Sequence, residues 1–515
     1  MITWTRWRGK EADPRFCGLP WDEETPRWQE IDQCLPANHL ARQIDEAVEE
    51  LDLAELFGTY AGRGSKALRP DRLFRLVLYE TQRGRLSPAQ WYSDAKENEP
   101  AEWLLFGLTP SRAALYEFRE RLGKLWDGWH EQVMQKAQEL GIPVGERVAL
   151  DGTLIAALAS RHRLVNQKTL RTHREELERA VAADEQGQPP DPQRFWMGKH
   201  PDTRKRQLEG YRAAWRRMDQ LQAENQKRRS SKRKKPERIV VSVSDPEAVV
   251  GRDKLKVFRP LYNVQLMYDL DSDFITAYDV FACQNDAGTI GTILERCVEL
   301  VGRKPQVLLA DAGYAGGPDV AVCEQAGVTL YAPVSENDFS EAKQSKQKLP
   351  QIPKKDFAWL PEEHTYRCPE GHQLIPGKTT SLARSNDRRV LQTIYRCPRE
   401  HCTQCPRREA CTPSASAGRT VSRLEHEDLL EKLRDRMATP EAKELYKLRH
   451  KTVELRYADL KEHRKMRRFR SYGLRRAHGE IGAAVLAFNL LILVRHLTLA
   501  ATSSEPIRIP EEVPS

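Results

Sequence analysis

The chain has 515 residues, enough for about three folded units at the usual ~100 to 200 residues each. Hydrophobic residues at 39% and charged residues at 30%, with a mean hydropathy of -0.67, describe a soluble protein with much polar surface and exclude a wholly disordered chain. Lys plus Arg at 83 against Asp plus Glu at 74 leaves +9, an excess that points to an anionic partner only if it is clustered.

Met1 to Gly9 carries Arg6 and Arg8 but no apolar stretch after them, so no secretory signal is read and the cytosol is the expected compartment. Residues 1–145 are read as a helical domain. Leu68-Arg69-Pro70 precedes the apolar stripe Leu73, Leu76, Val77, and Ser87-Pro88 opens another helix. Pro110-Ser111 opens a third, which carries Leu115, Phe118 and Leu122 with Arg112, Arg119 and Arg121 among them. That pattern fits a helix packed on one side and facing phosphate on the other.

After Gly141-Ile142-Pro143 the pattern changes to a strand, Val148 to Asp151, and residues 146–334 are expected to form a mixed sheet flanked by helices. Residues 161–237 interrupt it with mostly charged or polar sequence, rich in Arg, Glu, Lys and Gln, read as two exposed helices and a basic tail. Lys227 to Lys235, with seven basic residues in nine including Lys232, Arg233, Lys234 and Lys235, favours nucleic acid, because so many like charges repel unless a polyanion screens them. Strands are expected again at 239–243, 262–268 and 274–281, the last two joined by an Asp271-Ser272-Asp273 turn. A helix at 289–301, a strand at 307–310, a helix near 318–325 and a strand at 329–333 complete this part.

Residues 335–420 are read as a loop followed by a small cysteine-rich insertion, residues 421–500 as helices, and 501–515 as a disordered tail. The longest apolar run, Ile481 to Val494, contains Asn489 and falls short of the roughly 20 residues that cross a bilayer, so it is read as a buried helix with no membrane partner.

Asp151 and Asp311 each follow an apolar strand with a glycine close behind (Asp151-Gly152, Asp311-Ala312-Gly313). Carboxylates that project from strand ends into one cleft can hold a divalent metal through oxygen ligands. A third acid, Glu454, lies on a late helix that Thr439 caps and Pro440 begins, in the series Tyr446, Arg449, Val453, Glu454, Tyr457, Lys461.

These residues together resemble the DDE transposases of bacterial insertion sequences. Ala149-Leu150-Asp151-Gly152-Thr153-Leu154-Ile155 looks like the first-aspartate strand of that family, and Leu309-Ala310-Asp311-Ala312-Gly313-Tyr314 like its second. Tyr446, Arg449, Glu454 and Lys461 resemble its Tyr-Arg-Glu-Lys signature, with one more residue between Arg449 and Glu454 than the commonest spacing. Phe258 to Gln265 is similar to its second strand and Asn285-Asp286 to the turn before its first core helix. Gly473-Leu474, Glu480 and Asn489-Leu490 match its ending, and Tyr60 to Gly64, Arg69-Pro70 and Phe118-Arg119 match the helical domain that precedes the core.

The resemblance implies an α/β fold with an RNase H-like core, an N-terminal helical DNA-binding domain, and a transposase that cleaves transposon ends and transfers strands into target DNA as a homodimer on paired ends, associated with the nucleoid. It implies that Asp151, Asp311 and Glu454 hold two Mg²⁺ or Mn²⁺ ions. Tyr446, Arg449 and Lys461 would then lie at the scissile phosphate, with Arg467 and Arg468 extending the basic surface. The competing readings are a DNA-binding descendant that has lost cleavage, and an RNase H-fold nuclease that cuts without joining.

Five of the ten cysteines fall between Cys368 and Cys411. Cys402 and Cys405 have knuckle spacing, and a second pair can come from Cys368 with Cys411, Cys397 or His372. The favoured set for a structural Zn²⁺ is Cys368, Cys402, Cys405 and Cys411.

Overall fold

The computed structural model describes residues 13–123, 125–191, 194–228, 230–334, 352–383, 388–412 and 417–503. The N-terminal unit runs through α1 (Pro26–Cys34), α2 (Leu40–Glu49), α3 (Ala54–Gly58), α4 (Pro70–Gln82), α5 (Pro88–Glu97), α6 (Glu99–Leu104), α7 (Arg112–Leu122) and α8 (Trp126–Glu139). Prolines occupy the first turns of α4 and α5, where no amide partner is lost. Ser87 accepts from the Gln90 amide while the Gln90 side chain returns to Ser87, a reciprocal cap that fixes the start of α5. α4 is buried almost end to end, so Arg72 and Arg75 lie inside and pair with Asp45 and Asp71. On α7, Leu115, Phe118 and Leu122 are buried as expected, but Arg119 pairs with Glu120 and Arg121 with Glu117.

β1 (Arg147–Ala156) begins the second architecture and is longer than the sequence pattern predicts. It leads into an insertion formed by β2 (Leu164–Asn166), α9 (Gln167–Glu185), α10 (Pro201–Gln226) and β3 (Val240–Ser242). The strand expected at 239–243 does not join the main sheet. It pairs with β2, because Ile239 and Val241 belong to a separate core with Leu170, Leu177, Ala214 and Met218 of α9 and α10.

The main sheet is completed by β4 (Val249–Arg252), β5 (Phe258–Asp269), β6 (Ile275–Phe281), β7 (Val307–Leu309) and β8 (Thr329–Tyr331). β1 pairs antiparallel with β5 and parallel with β7, β5 pairs antiparallel with β6 and β4, and β7 lies parallel to β8. The resulting order β6-β5-β1-β7-β8, with α11 (Ile290–Val301) and α12 (Gly317–Ala326) as crossovers, is an α/β RNase H-like core.

The cysteine-rich region is more than a loop and a small insertion. Residues 335–351 lie outside the described residues. Beyond them β9 (Ala358–Leu360), β10 (Thr365–Arg367), β11 (Gln373–Ala383), β12 (Arg389–Arg396), α13 (Arg399–Thr403), α14 (Arg408–Cys411) and β13 (Thr420–Leu424) form a five-stranded antiparallel sheet, which passes the expected boundary at 420. Phe357, Tyr366, Leu374, Tyr395 and Val421 give it its own core, so it needs no support from the main sheet to bury apolar area.

The chain closes with α15 (Glu427–Ala438), α16 (Pro440–Ala458), a π-helical turn over Asp459–His463, and α17 (Leu474–Ser503). Thr439 caps α16 by accepting from Ala442 N at 3.2 Å, as the sequence predicts. α17 is longer than the apolar run within it, and its segment Leu474–Leu499 is long and apolar enough to cross a bilayer. Here that helix packs against α2, α4, α8 and β6. Asn489 inside it is clamped on β6, accepting from Ile275 N and donating to Ile275 O, both at 2.9 Å. Residues 504–515 of the expected tail lie outside the described residues.

Candidate active site and the cysteine-lined cavity

The position of the two aspartates follows from where two parallel strands part. β1 and β7 are paired only through Ala149 and Leu309, and each aspartate stands two residues further on. Asp311 leaves the sheet there, its side chain accepting from Gly313 N at 2.7 Å. Asp151 does not end a strand, contrary to the sequence reading. β1 continues past it, paired with Leu266 and then Gln265 of β5, so Asp151 borders the crevice that opens where β7 turns away.

Gly152 therefore serves a close approach rather than a turn. A Cβ there would lie 2.1 Å from Asp286 Oδ1 and 2.3 Å from Gln265 Nε2. Asp286, from the turn before α11, accepts on Oδ1 from Asn263 Nδ2 at 2.9 Å and Gln265 Nε2 at 2.7 Å. Gln265 is itself held by the buried Tyr314 hydroxyl, which donates to its Oε1. Sequence reasoning quoted Asn263, Gln265 and Asp286 for their resemblance and gave them no role. The available signal was two amides at alternate positions of an otherwise apolar strand, since a buried polar side chain needs a partner.

α16 lies over the crevice. Arg449 Nη2 is 3.1 Å from Asp151 Oδ1, the Tyr446 hydroxyl donates to Ala310 O at 3.1 Å, and the Tyr457 hydroxyl donates to the Asp151 carbonyl. Burial pushes the Asp151 carboxyl up to about 6; Arg449 opposes this, while Asp311 and Asp286 add to it. Glu454 is on the same helix between buried Val453 and exposed Leu455, and its side chain lies outside the described residues. Lys461, in the π turn, donates to Thr153 Oγ1 on β1. Burial, then Lys254 and Arg467, bring its ammonium down to about 8.

The other basic residues are placed less uniformly. Arg468 donates to Ala157 O at 3.2 Å and to Leu158 O, fastening the chain after the π turn to the far end of β1. Arg467 is exposed and paired with Glu462. Arg233 donates to Arg228 O at 3.0 Å and Gln226 O at 2.7 Å, closing the end of α10. Lys234 and Lys235 are exposed, and the Lys232 side chain lies outside the described residues.

All five late cysteines line one cavity of about 20 Å³, together with His372 and His401. It has room for a single water-sized group. Tight turns carry the ligand candidates: Cys368 N donates to His372 O at 2.8 Å and Cys405 N to Cys402 O at 3.4 Å, while Arg419 N, distant in sequence, donates to Cys402 Sγ at 3.5 Å. Cys397, outside the favoured set, is buried here, and its thiol is pushed up to about 12 by burial and then by Cys402. Among the described residues, which do not include the Glu454 side chain, no group of three or more His, Cys, Asp or Glu side chains is placed so that it could hold a metal ion. In donor chemistry the two places differ clearly: oxygen donors with surplus negative charge suit a hard divalent cation, and thiols with imidazoles suit zinc.

Two family models match the chain. Residues 367–494, from the cysteine-rich sheet into α17 and including Glu454, match the transposase DDE domain. Residues 29–121, which are α1 through α7, match the Transposase domain (DUF772). No curated protein matches the chain. An RNase H-like sheet followed by a DDE-type helix defines a nucleic-acid-processing class. Within it, the two matched regions support a DDE transposase of an insertion-sequence family. That family implies DNA substrates and, in general, dependence on divalent metal.

Proposed function

We propose that this transposase cleaves DNA at the ends of its element and joins them to target DNA, with Asp151, Asp311 and Glu454 as the acids that hold two Mg²⁺ or Mn²⁺ ions. The observation that carries this reading is the parting of β1 and β7 beyond Ala149 and Leu309, which brings Asp151 and Asp311 to one level of one crevice beneath Arg449. A metal pair supplies Lewis acidity at the attacking and leaving oxygens of an in-line displacement at phosphorus.

The chain's own groups account for the rest. Carboxylates are required as ligands because their charge offsets cations that must sit beside phosphate. Arg449, paired with Asp151, is a guanidinium that would meet a phosphate entering the crevice, where its fork can donate two hydrogen bonds. Lys461 stands at Thr153, two residues along β1 from Asp151, as a second positive charge for the DNA backbone. Tyr446 fixes the helix over the end of β7 through Ala310 O. Outside the crevice, Lys232, Arg233, Lys234, Lys235, Arg467 and Arg468 add charge for duplex that extends beyond the scissile bond. A structural zinc among Cys368, Cys402, Cys405 and Cys411 would pin the turns of the cysteine-rich sheet.

The test is cleavage of a duplex bearing the element's terminal sequence. Asp151→Ala, Asp311→Ala and Glu454→Ala each abolish it while salt-dependent DNA binding persists; a variant that cleaves at the wild-type rate removes its acid from the site. Lys234→Ala with Lys235→Ala lowers the slope of log affinity against log salt by about 2, because each phosphate contact contributes close to one unit.

A further inference from the structure

Asp286 is held in a way that its local structure does not require. The turn into α11 is closed by its backbone, whose carbonyl accepts from Thr289 N at 3.2 Å and Thr289 Oγ1 at 2.7 Å, so the carboxylate is not needed to start the helix. Both amides that the side chain meets, Asn263 Nδ2 and Gln265 Nε2, bond to the same oxygen, Oδ1. Both amide side chains are essentially sealed from solvent, at 1% and 0% exposure, and Tyr314 fixes the second from behind. Oδ2 accepts no hydrogen bond among the described residues. It lies 3.6 Å from where a Cβ on Gly313 would stand, on the loop that carries Asp311, while Oδ1 lies over Gly152 beside Asp151.

Neutral amides orient a carboxylate without cancelling its charge, whereas an arginine or lysine partner would cancel it. A structural aspartate between two other aspartates gains nothing from keeping its charge, since like charges at short range destabilise each other. A cation ligand gains from it.

We infer that Asp286 is a further carboxylate of the metal site, with Oδ1 clamped by Asn263 and Gln265 and Oδ2 offered to a divalent cation shared with Asp151 and Asp311. The inference rests on the metal-site reading above and extends it to a residue outside the three acids. In the chain, the amide pair on β5 acts as the positioning device and Asp286 as the ligand.

The experiment is Mn²⁺ binding to the full chain without DNA, by calorimetry or by the electron-spin signal of free Mn²⁺, with melting temperature as a second readout. Asp286→Asn keeps an oxygen for the two amide donors and removes only the charge. It is expected to weaken Mn²⁺ binding at least tenfold while melting in metal-free buffer no lower than wild type. Asn263→Ala keeps the carboxylate and releases one of its two donors. It is expected to weaken Mn²⁺ severalfold with unchanged stoichiometry, which keeps the test open if Asp286→Asn fails to fold. Asp151→Asn serves as the reference. If it abolishes Mn²⁺ binding while Asp286→Asn and Asn263→Ala both bind as wild type does, Asp286 is structural and the inference is overturned alone. If Asp151→Asn itself binds Mn²⁺ normally, the metal-site reading falls and takes the inference with it.

Discussion

Arg449 Nη2 stands 3.1 Å from Asp151 Oδ1, so a cation from the late helix occupies the carboxylate that the first strand brings to the crevice. Both side chains are mostly buried, and removing one partner of such a pair leaves a desolvated charge. Arg449→Ala is therefore expected to melt lower than wild type in metal-free buffer, by about 3 kcal/mol in stability at most. It should regain more on addition of Mn²⁺, because the ion then replaces the lost guanidinium. Equal Mn²⁺-induced increments in wild type and variant would show that the ion and the arginine do not share Asp151.

Gly152→Ala tests the packing of the crevice. Its Cβ would collide with Asp286 Oδ1 at 2.1 Å and with Gln265 Nε2 at 2.3 Å, neither of which is free to leave without breaking the network. Overpacking of this kind costs about 1–3 kcal/mol, and the displaced carboxylate should abolish cleavage. Gly291→Ala is the control: on α11 its Cβ meets Val322 at an ordinary 3.6 Å, and cleavage and melting temperature should be kept or improved.

The joint between the N-terminal helices and α17 is sensitive to acid. His130 of α8 is fully buried with Nε2 3.0 Å from Gly482 O, and burial lowers its pKa from 6.5 to about 4. Between those two values the unfolded chain binds a proton that the folded chain refuses. Stability should fall as pH drops from 6.5 towards 4, by on the order of 3 kcal/mol in total. His130→Gln, which retains a donor for the carbonyl, should flatten the dependence of melting temperature on pH across that window. An unchanged slope would assign the sensitivity to other groups.

The cysteine-lined cavity predicts metal content. Purified protein should carry about one zinc per chain by mass spectrometry. Chelation or Cys405→Ser should lower the melting temperature of the cysteine-rich sheet and leave Mn²⁺ binding in the crevice intact. Zinc-free protein with an undiminished melting temperature would leave the thiols as ordinary packing around the core of that sheet.

Local signals along the chain carried most of the fold. Helices that begin with proline, such as α4, α5 and α16, the last two also capped by Ser87 and Thr439, announce themselves, because their start signals act within one turn. The β5–β6 hairpin was legible from its turn, and the order of Asp151, Asp311 and Glu454 from the motifs around them. What failed was non-local. Whether β3 joins the main sheet or the insertion depends on which core receives Ile239 and Val241, and its own residues do not decide that. The five-stranded sheet was hidden because its strands are short or polar, with few apolar residues to mark an inward face. Asp286 escaped because a role for it arises only when Asn263 and Gln265 of β5 and Tyr314 of the turn after β7 meet around it in space.

One catalytic metal site built from three acids, on β1, at the end of β7 and on α16, is the proposal on which the expectations for cleavage depend. The most direct measurement is Mg²⁺-dependent cleavage and joining of a duplex that carries the element's own terminal sequence, comparing wild type with Glu454→Ala. Both steps are expected in wild type and neither in the variant, with DNA affinity preserved. Binding without cleavage in the wild type, or cleavage that survives the loss of Glu454, would contradict that proposal.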